Sequence, residues 1–203
     1  MRPTTARLTR IVSRSNSVVF AVAVAVVLTW TLIPPIPKII NLSADSWPPG
    51  HRILTVSDRT ADPAWHSALA AAVSTWAQTG AGLRLVLVTQ GGRCGHDLDT
   101  IEVCEEPQRL IADPEIAGRQ GYVVPVVAAG GRLQSVDIVV CTDCPMDQDR
   151  RVIIATHELG HALGLPHNGS PFSVMFPSGG PFGPDPQDIQ ILLSKYPPAQ
   201  GPV

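Results

Sequence analysis

Apolar positions recur along this chain with three different spacings, and each spacing predicts a different kind of element. From Val18 to Ile33 the run is almost unbroken and shows no polar face, which suits insertion into a membrane and not a helix packed on a core. Pro34 to Gly50 then carries Pro34, Pro35, Pro37, Pro48 and Pro49, the composition of a semi-rigid spacer. Beyond it, Arg52 to Val56 reads as a short strand, and Asp62-Pro63 supplies an N-cap and a first-turn proline. The helix they start runs to about Thr79 with Trp65, Leu69, Ala72, Val73 and Trp76 at three-and-four spacing, and Gly80 ends it. Leu83 to Val88 and Thr100 to Val103 are short apolar runs that read as strands. Tyr122 to Ala128 and Leu133 to Val140 are joined by Ala129-Gly130-Gly131-Arg132, a hairpin signal, and Pro125 places the first of them at a sheet edge because it cannot donate to a ladder. Helical spacing returns from about Gln148 to Leu163, with Val152, Ile153, Leu159 and Leu163 apolar, and again after Pro186 with Ile189, Leu192 and Leu193. There are no internal repeats, and this order predicts an α+β domain with most of a mixed, twisted sheet ahead of the second helix.

Length and charge narrow the picture. At 203 residues the chain has room for one well-packed domain and a short appendage. With 15 basic and 17 acidic side chains there is no electrostatic ground for a nucleic-acid partner. Arg2, Arg7, Arg10 and Arg14 precede the first apolar run, and no acidic residue occurs before Asp45. A basic flank ahead of an inserting segment keeps the arginines in the cytoplasm and exports the chain beyond Lys38. The run falls between the lengths of a signal-peptide core and a spanning helix; Ile33-Pro34-Pro35-Ile36-Pro37 after it offers no small-x-small cleavage site, which favours an uncleaved anchor over a removed signal peptide. The expected organisation is therefore residues 1–38 as signal-anchor or signal peptide, 39–50 as proline-rich linker, and 51–203 as the folded domain, held outside the cell membrane or secreted.

Export gives the four cysteines their meaning, since oxidation is the default there. Of three possible connectivities, Cys94 with Cys104 and Cys141 with Cys144 each close a short polar loop and are preferred on that ground. Cys141-Thr142-Asp143-Cys144 could also form a redox pair or half a zinc site, although no second Cys-x-x-Cys accompanies it.

The stretch His157-Glu158-Leu159-Gly160-His161-Ala162-Leu163-Gly164-Leu165-Pro166-His167 carries the chemistry. Histidines four apart on a helix project from one face a turn apart, so both imidazoles can reach one zinc ion. Gly164 can take a left-handed conformation that ends the helix and turns the chain back, so that His167 can supply a third nitrogen. Three protein ligands leave a position open for water, which marks a catalytic and not a structural zinc. Glu158 then stands beside that water as a general base. Five specified positions match by chance in on the order of one such chain in ten thousand. His51, His66 and His96 lie outside any ligand spacing and read as surface or satisfied polar residues.

This pattern followed by a methionine turn is the metzincin signature. Ser173-Val174-Met175-Phe176-Pro177 resembles the Met-turn of matrixins, and Ser135 to Val139, the Trp76-bearing helix and the Asp188 to Tyr196 helix are similar to matrixin catalytic domains over roughly His51 to Pro198. The resemblance implies a metzincin-like zincin fold with an active-site helix and a small C-terminal subdomain, Met175 as a packing floor beneath the catalytic zinc, and hydrolysis of peptides laid antiparallel to the edge strand Tyr122–Ala128. Three features depart from it. The second, structural zinc and the calcium loops of vertebrate matrixins need a His-x-Asp and further histidines, and Tyr122 to Val140 contains none, so one zinc is expected. The only Arg-Cys-Gly, Arg93-Cys94-Gly95, lies inside the domain, where Cys94 reads as a disulfide partner and alternatively as an inhibitory zinc ligand. Pro177-Ser178-Gly179 stands where the family often has Pro-x-Tyr lining its specificity pocket, so substrate preference stays open. A non-catalytic binding protein on the same scaffold, or a zinc hydrolase of a non-peptide bond, are the rival expectations.

Overall fold

Each helix begins where an aspartate can satisfy the free N–H groups of a first turn. The computed structural model describes residues 46–107, 119–180 and 183–198, all within the compact unit Ile39–Val203. Asp62 accepts from Ala64 N at 2.9 Å to start α1 (Pro63–Ala77), and Asp147 accepts from Arg150 N at 2.8 Å to start α2 (Gln148–Ala162). Asp185 and Asp188 form a reciprocal capping box at α3 (Pro186–Lys195).

Five strands among the described residues, β1 (Ile53–Asp58), β2 (Arg84–Thr89), β3 (Thr100–Glu106), β4 (Gly121–Ala128) and β5 (Arg132–Cys141), form one sheet in the order β2-β1-β3-β5-β4. β1 runs parallel to β2 and β3, β3 runs parallel to β5, and only the hairpin partner β4 is antiparallel. The sheet is therefore mixed, as the α+β reading expects. The strand with proline stands at its edge, and a register shift between Val126 and Val127 twists that edge further.

Helices α1 and α2 pack on each other and on the sheet. Leu54, Val56, Ile101, Val103, Val136, Ile138 and Val140 from the strands meet Trp65, Leu69, Trp76, Ile154 and Leu159 from the helices in one buried cluster. Burying a large aromatic removes much apolar surface from water, and the Trp76 ring also donates Nε1 to Thr156 O at 2.8 Å, satisfying its polar end inside the core. That bond ties α1 to the backbone of α2 one residue before His157.

Two expectations are corrected. The packed chain starts earlier than His51: Leu133 N donates to Ser46 O at 3.1 Å, and Trp47 is 1% exposed. Trp47 donates Nε1 to Ala162 O at 3.0 Å and N to the Tyr196 hydroxyl at 3.1 Å, and that hydroxyl donates to Leu163 O at 3.1 Å. Proline content near position 50 suggested a spacer, but the tryptophan ahead of Pro48 and Pro49 closes the C-terminal end of α2. On α3 the buried residues are Asp188 and Leu192, followed by the buried cap Tyr196, while Ile189 is only partly buried. The capping box turns Asp188 inward and rotates the face away from the one that apolar spacing implies.

Both short disulfides, Cys94–Cys104 and Cys141–Cys144, are formed. The apolar run Val18–Ile33 and its basic flank lie outside the described residues, among which no helix is long and apolar enough to cross a membrane.

Candidate metal centre

Three imidazoles converge at the C-terminal end of α2. His157 and His161 lie on the helix one turn apart, and the left-handed Gly164 (φ 85°) reverses the chain immediately afterwards. Gly164 N donates to His161 O at 2.8 Å and Leu165 N to Gly160 O at 3.0 Å, closing the helix so that His167 swings back over it. Ring centroids are 4.6 Å apart for His157 and His161, 4.7 Å for His161 and His167, and 5.3 Å for His157 and His167. One nitrogen from each of the three rings lies within 4.8 Å of the others.

The hydrogen bonds fix what these nitrogens can do. His157 Nδ1 stands 2.6 Å from Val174 O and His161 Nδ1 stands 2.8 Å from Leu165 O. A carbonyl can only accept, so both Nδ1 atoms carry the proton and both Nε2 atoms present lone pairs. Those two Nε2 atoms face each other at 3.0 Å with no proton to share. Two zinc–nitrogen bonds of about 2.05 Å at a tetrahedral angle place their nitrogens about 3.3 Å apart, so the donor set fits a zinc ion.

Burial makes the same demand. It pushes His157 down to about 4, against the Val174 carbonyl bond, and His161 down to about 3, with the His157 charge acting in the same direction. His167 is exposed and is also lowered, first by desolvation and then by the Arg119 charge. Each of the three rings is thus biased towards its neutral form, the form a metal ion would need. Glu158 is 7% exposed, and burial raises its carboxyl to about 8 against the opposing charge of Arg119. A cation beside it would favour the carboxylate.

The surroundings hold the imidazoles in place through residues that the spacing of histidines does not reveal. Met175 is fully buried, and Gly160 is the reason it can be: a Cβ there would collide with Met175 Sδ and stand 2.7 Å from Trp76 Cζ2. Asn168, next to the third histidine, donates its backbone N to Met175 O at 2.8 Å. Its Nδ2 donates to Asp188 Oδ1 at 2.8 Å and to Asp185 Oδ1 at 3.0 Å, while Ser173 Oγ donates to Asp188 Oδ2 at 2.5 Å. The first turn of α3 thereby anchors both ends of the segment that carries His167 and Met175. The spacing Asp185-Pro186-Gln187-Asp188 is a legible cap signal, but its second task needs contacts across the fold. On the other wall Gly121 opens β4 against Glu158: a Cβ there would lie 3.0 Å from Glu158 Oε1.

The remaining histidines each face a carboxylate, His51 to Asp99 at 3.1 Å, His66 to Asp58 at 3.7 Å, and His96 to Asp137. Cys94 is in a disulfide beside Glu102 and Asp137 and does not join the three histidines.

The matrixin family profile matches residues 44–191, most of the chain and all of this centre. The chain belongs to the matrixin family. Matrilysin from Felis catus is 37% identical to this matrixin over 27% of each protein. The chain thus spans about a quarter of the length of that curated relative. Among solved structures, archaemetzincin from Methanopyrus kandleri is similar at 16% identity, covering 73% of this chain and 97% of that one with a TM-score of 0.49. Myroilysin is similar at 12% identity over 76% and 97%, with a TM-score of 0.46.

Proposed function

We propose that this matrixin is an exported zinc-dependent endopeptidase in which His157, His161 and His167 hold one zinc ion and Glu158 is the general base. The observation that carries this reading is the pair of unprotonated Nε2 atoms facing each other at 3.0 Å, each fixed by its own Nδ1 bond to a carbonyl. When bound there, zinc polarises a carbonyl and lowers the pKa of water towards about 7.

The chain's own groups do the rest. The Val174 and Leu165 carbonyls orient two ligands and keep them basic. Glu158, adjacent in sequence to a ligand and buried, takes the proton of the attacking water and can return it to the departing amine. Among the described residues no strand pairs with the outer edge of β4, which begins at Gly121 beside Glu158, so an extended peptide adding antiparallel to it brings its backbone to the ligands. Pro125 withholds one donor from that pairing. The N-terminal residues 1–38 act as a signal-anchor in this reading and hold the domain outside the membrane.

Incubating the zinc-replete protein with a mixed peptide library and identifying the products by mass spectrometry tests the reaction. Internal cleavage of peptides that needs zinc is expected; intact peptides throughout would leave a binding protein or a hydrolase of another bond. Protease accessibility on intact cells checks the topology, with the domain expected outside and membrane-bound.

A further inference from the structure

The face of α2 that carries His157 and Glu158 continues towards its N-terminus through Ile154 and Ile153 to Arg150, two turns or about 10 Å along the axis from His157. Two walls line this face. On one side is the start of β4, where a Cβ on Gly121 would stand 2.8 Å from Ile154 Cγ2. On the other is the segment after Met175, where a Cβ on Gly179 would stand 3.0 Å from Ile153 Cγ2 and 3.3 Å from Arg150 Nη1.

Arg150 joins the two walls. Its Nε donates to Gln120 Oε1 at 2.7 Å and its Nη1 to Ser178 O at 3.1 Å. Both acceptors are neutral, and none of the ion pairs among the described residues includes this guanidinium. The side chain is thus fixed at the end of an apolar floor, with its charge uncompensated and further N–H donors of its fork uncommitted.

We propose that Arg150 determines specificity at this site by selecting an acidic side chain, glutamate above all, on the substrate residue just after the scissile bond. This rests on the endopeptidase reading. A side chain entering beside the three histidines runs along the partly buried Ile153, which suits methylene groups, and meets a rigid guanidinium, which suits a carboxylate better than any neutral tip. Glutamate combines both, while lysine and arginine are repelled.

Matched peptides that differ only in Glu, Gln, Leu or Lys at that residue test this on the zinc-replete full chain in detergent. Wild type is expected to favour Glu over Gln by about tenfold or more in kcat/KM, the size of a hydrogen bond to a charged group. Arg150→Gln is expected to bring the Glu-to-Gln ratio close to 1, mostly through KM of the Glu peptide, and Arg150→Lys to leave an intermediate ratio. A ratio that survives Arg150→Gln overturns the assignment. If that variant does not fold, the wild-type ratio still decides: it should shrink at about 0.5 M salt, and a ratio near 1 at low salt overturns the proposal. Cleavage of these peptides without acidic preference removes the role of Arg150 and leaves the peptidase reading standing, whereas cleavage of none, in this set or in the library, removes both.

Discussion

The polar side chains buried beneath the loop 93–99 of this matrixin and those at the end of α2 are built on opposite principles. Beneath the loop 93–99, Glu102 of β3 accepts from Arg59 Nε at 2.6 Å, Gly95 N at 2.6 Å and His96 N at 2.8 Å, while His96 caps Asp137 of β5. Burial raises Glu102, but these donors and the Arg59 charge outweigh it and leave the carboxyl lowered. Asp137 is raised by burial in spite of His96. Here Glu102 meets a guanidinium and backbone N–H groups supplied by the chain itself, while Asp137 keeps one buried oxygen without a partner. At the end of α2, by contrast, like meets like: lone pairs point at lone pairs, and the Nδ1 protons of both helix histidines are turned outward to carbonyls. A carboxylate met by donors of its own chain holds a loop, whereas imidazole lone pairs that meet only each other suit a cation.

The comparison breaks most visibly at His161. Wild type is expected to carry one zinc ion per chain and His161→Ala to lose it, and hydrolysis should fall by more than the roughly hundredfold that losing a ligand's hydrogen-bond partner produces. Elemental analysis and peptide turnover on the same samples check it, and full zinc occupancy in the variant would mean the ligand set is wrong.

Next in size is Glu158→Gln. Zinc should stay, since all three imidazoles remain, while kcat drops by about a hundred to ten thousandfold. Turnover near wild type with zinc bound would refute its role as base.

The two principles also differ in how pH acts on the zinc-free protein. His157 at about 4 and His161 at about 3 stay neutral in the fold, so the unfolded chain binds more protons below its ordinary 6.5 and stability is lost as pH falls from there towards 4. Glu158, raised from 4.5 to about 8, acts in the opposite sense: the folded chain keeps a proton that the unfolded chain releases, and stability falls as pH rises across that window. Glu158→Gln removes only the second effect. Its thermal midpoint, measured without zinc, should therefore gain on wild type from about pH 5 to about pH 8; a constant difference would show that the carboxyl is not buried as described.

The smallest effects belong to the two loops that disulfides close. Replacing Cys94 and Cys104 with serine opens a loop of sequence separation 10 and should cost about 3 kcal/mol of stability, and Cys141 with Cys144, separation 3, about 2 kcal/mol. Denaturant titration measures both, and zinc content should not change in either.

The sequence by itself determined the donor set and much of the framework. Four-residue spacing on a helix, a glycine free to reverse the chain, and a third histidine after it are local facts, and so are the Asp-Pro helix start, the glycine hairpin and the proline that keeps β4 at an edge. Only the tertiary structure decided which groups act on those donors. The carbonyls of Val174 and Leu165 that set the tautomers, Gly160 making room for Met175, Asp188 holding the Met-turn from α3, and Trp47 closing α2 from ahead of the expected boundary all depend on contacts between distant segments. So does Arg150, which reads as an ordinary helix residue until Gln120 and Ser178 are brought to either side of it. Periodicity reports which side of an element is buried; it does not report what lies opposite, and at a metal centre the opposite wall supplies the acceptors, the floor and the charge.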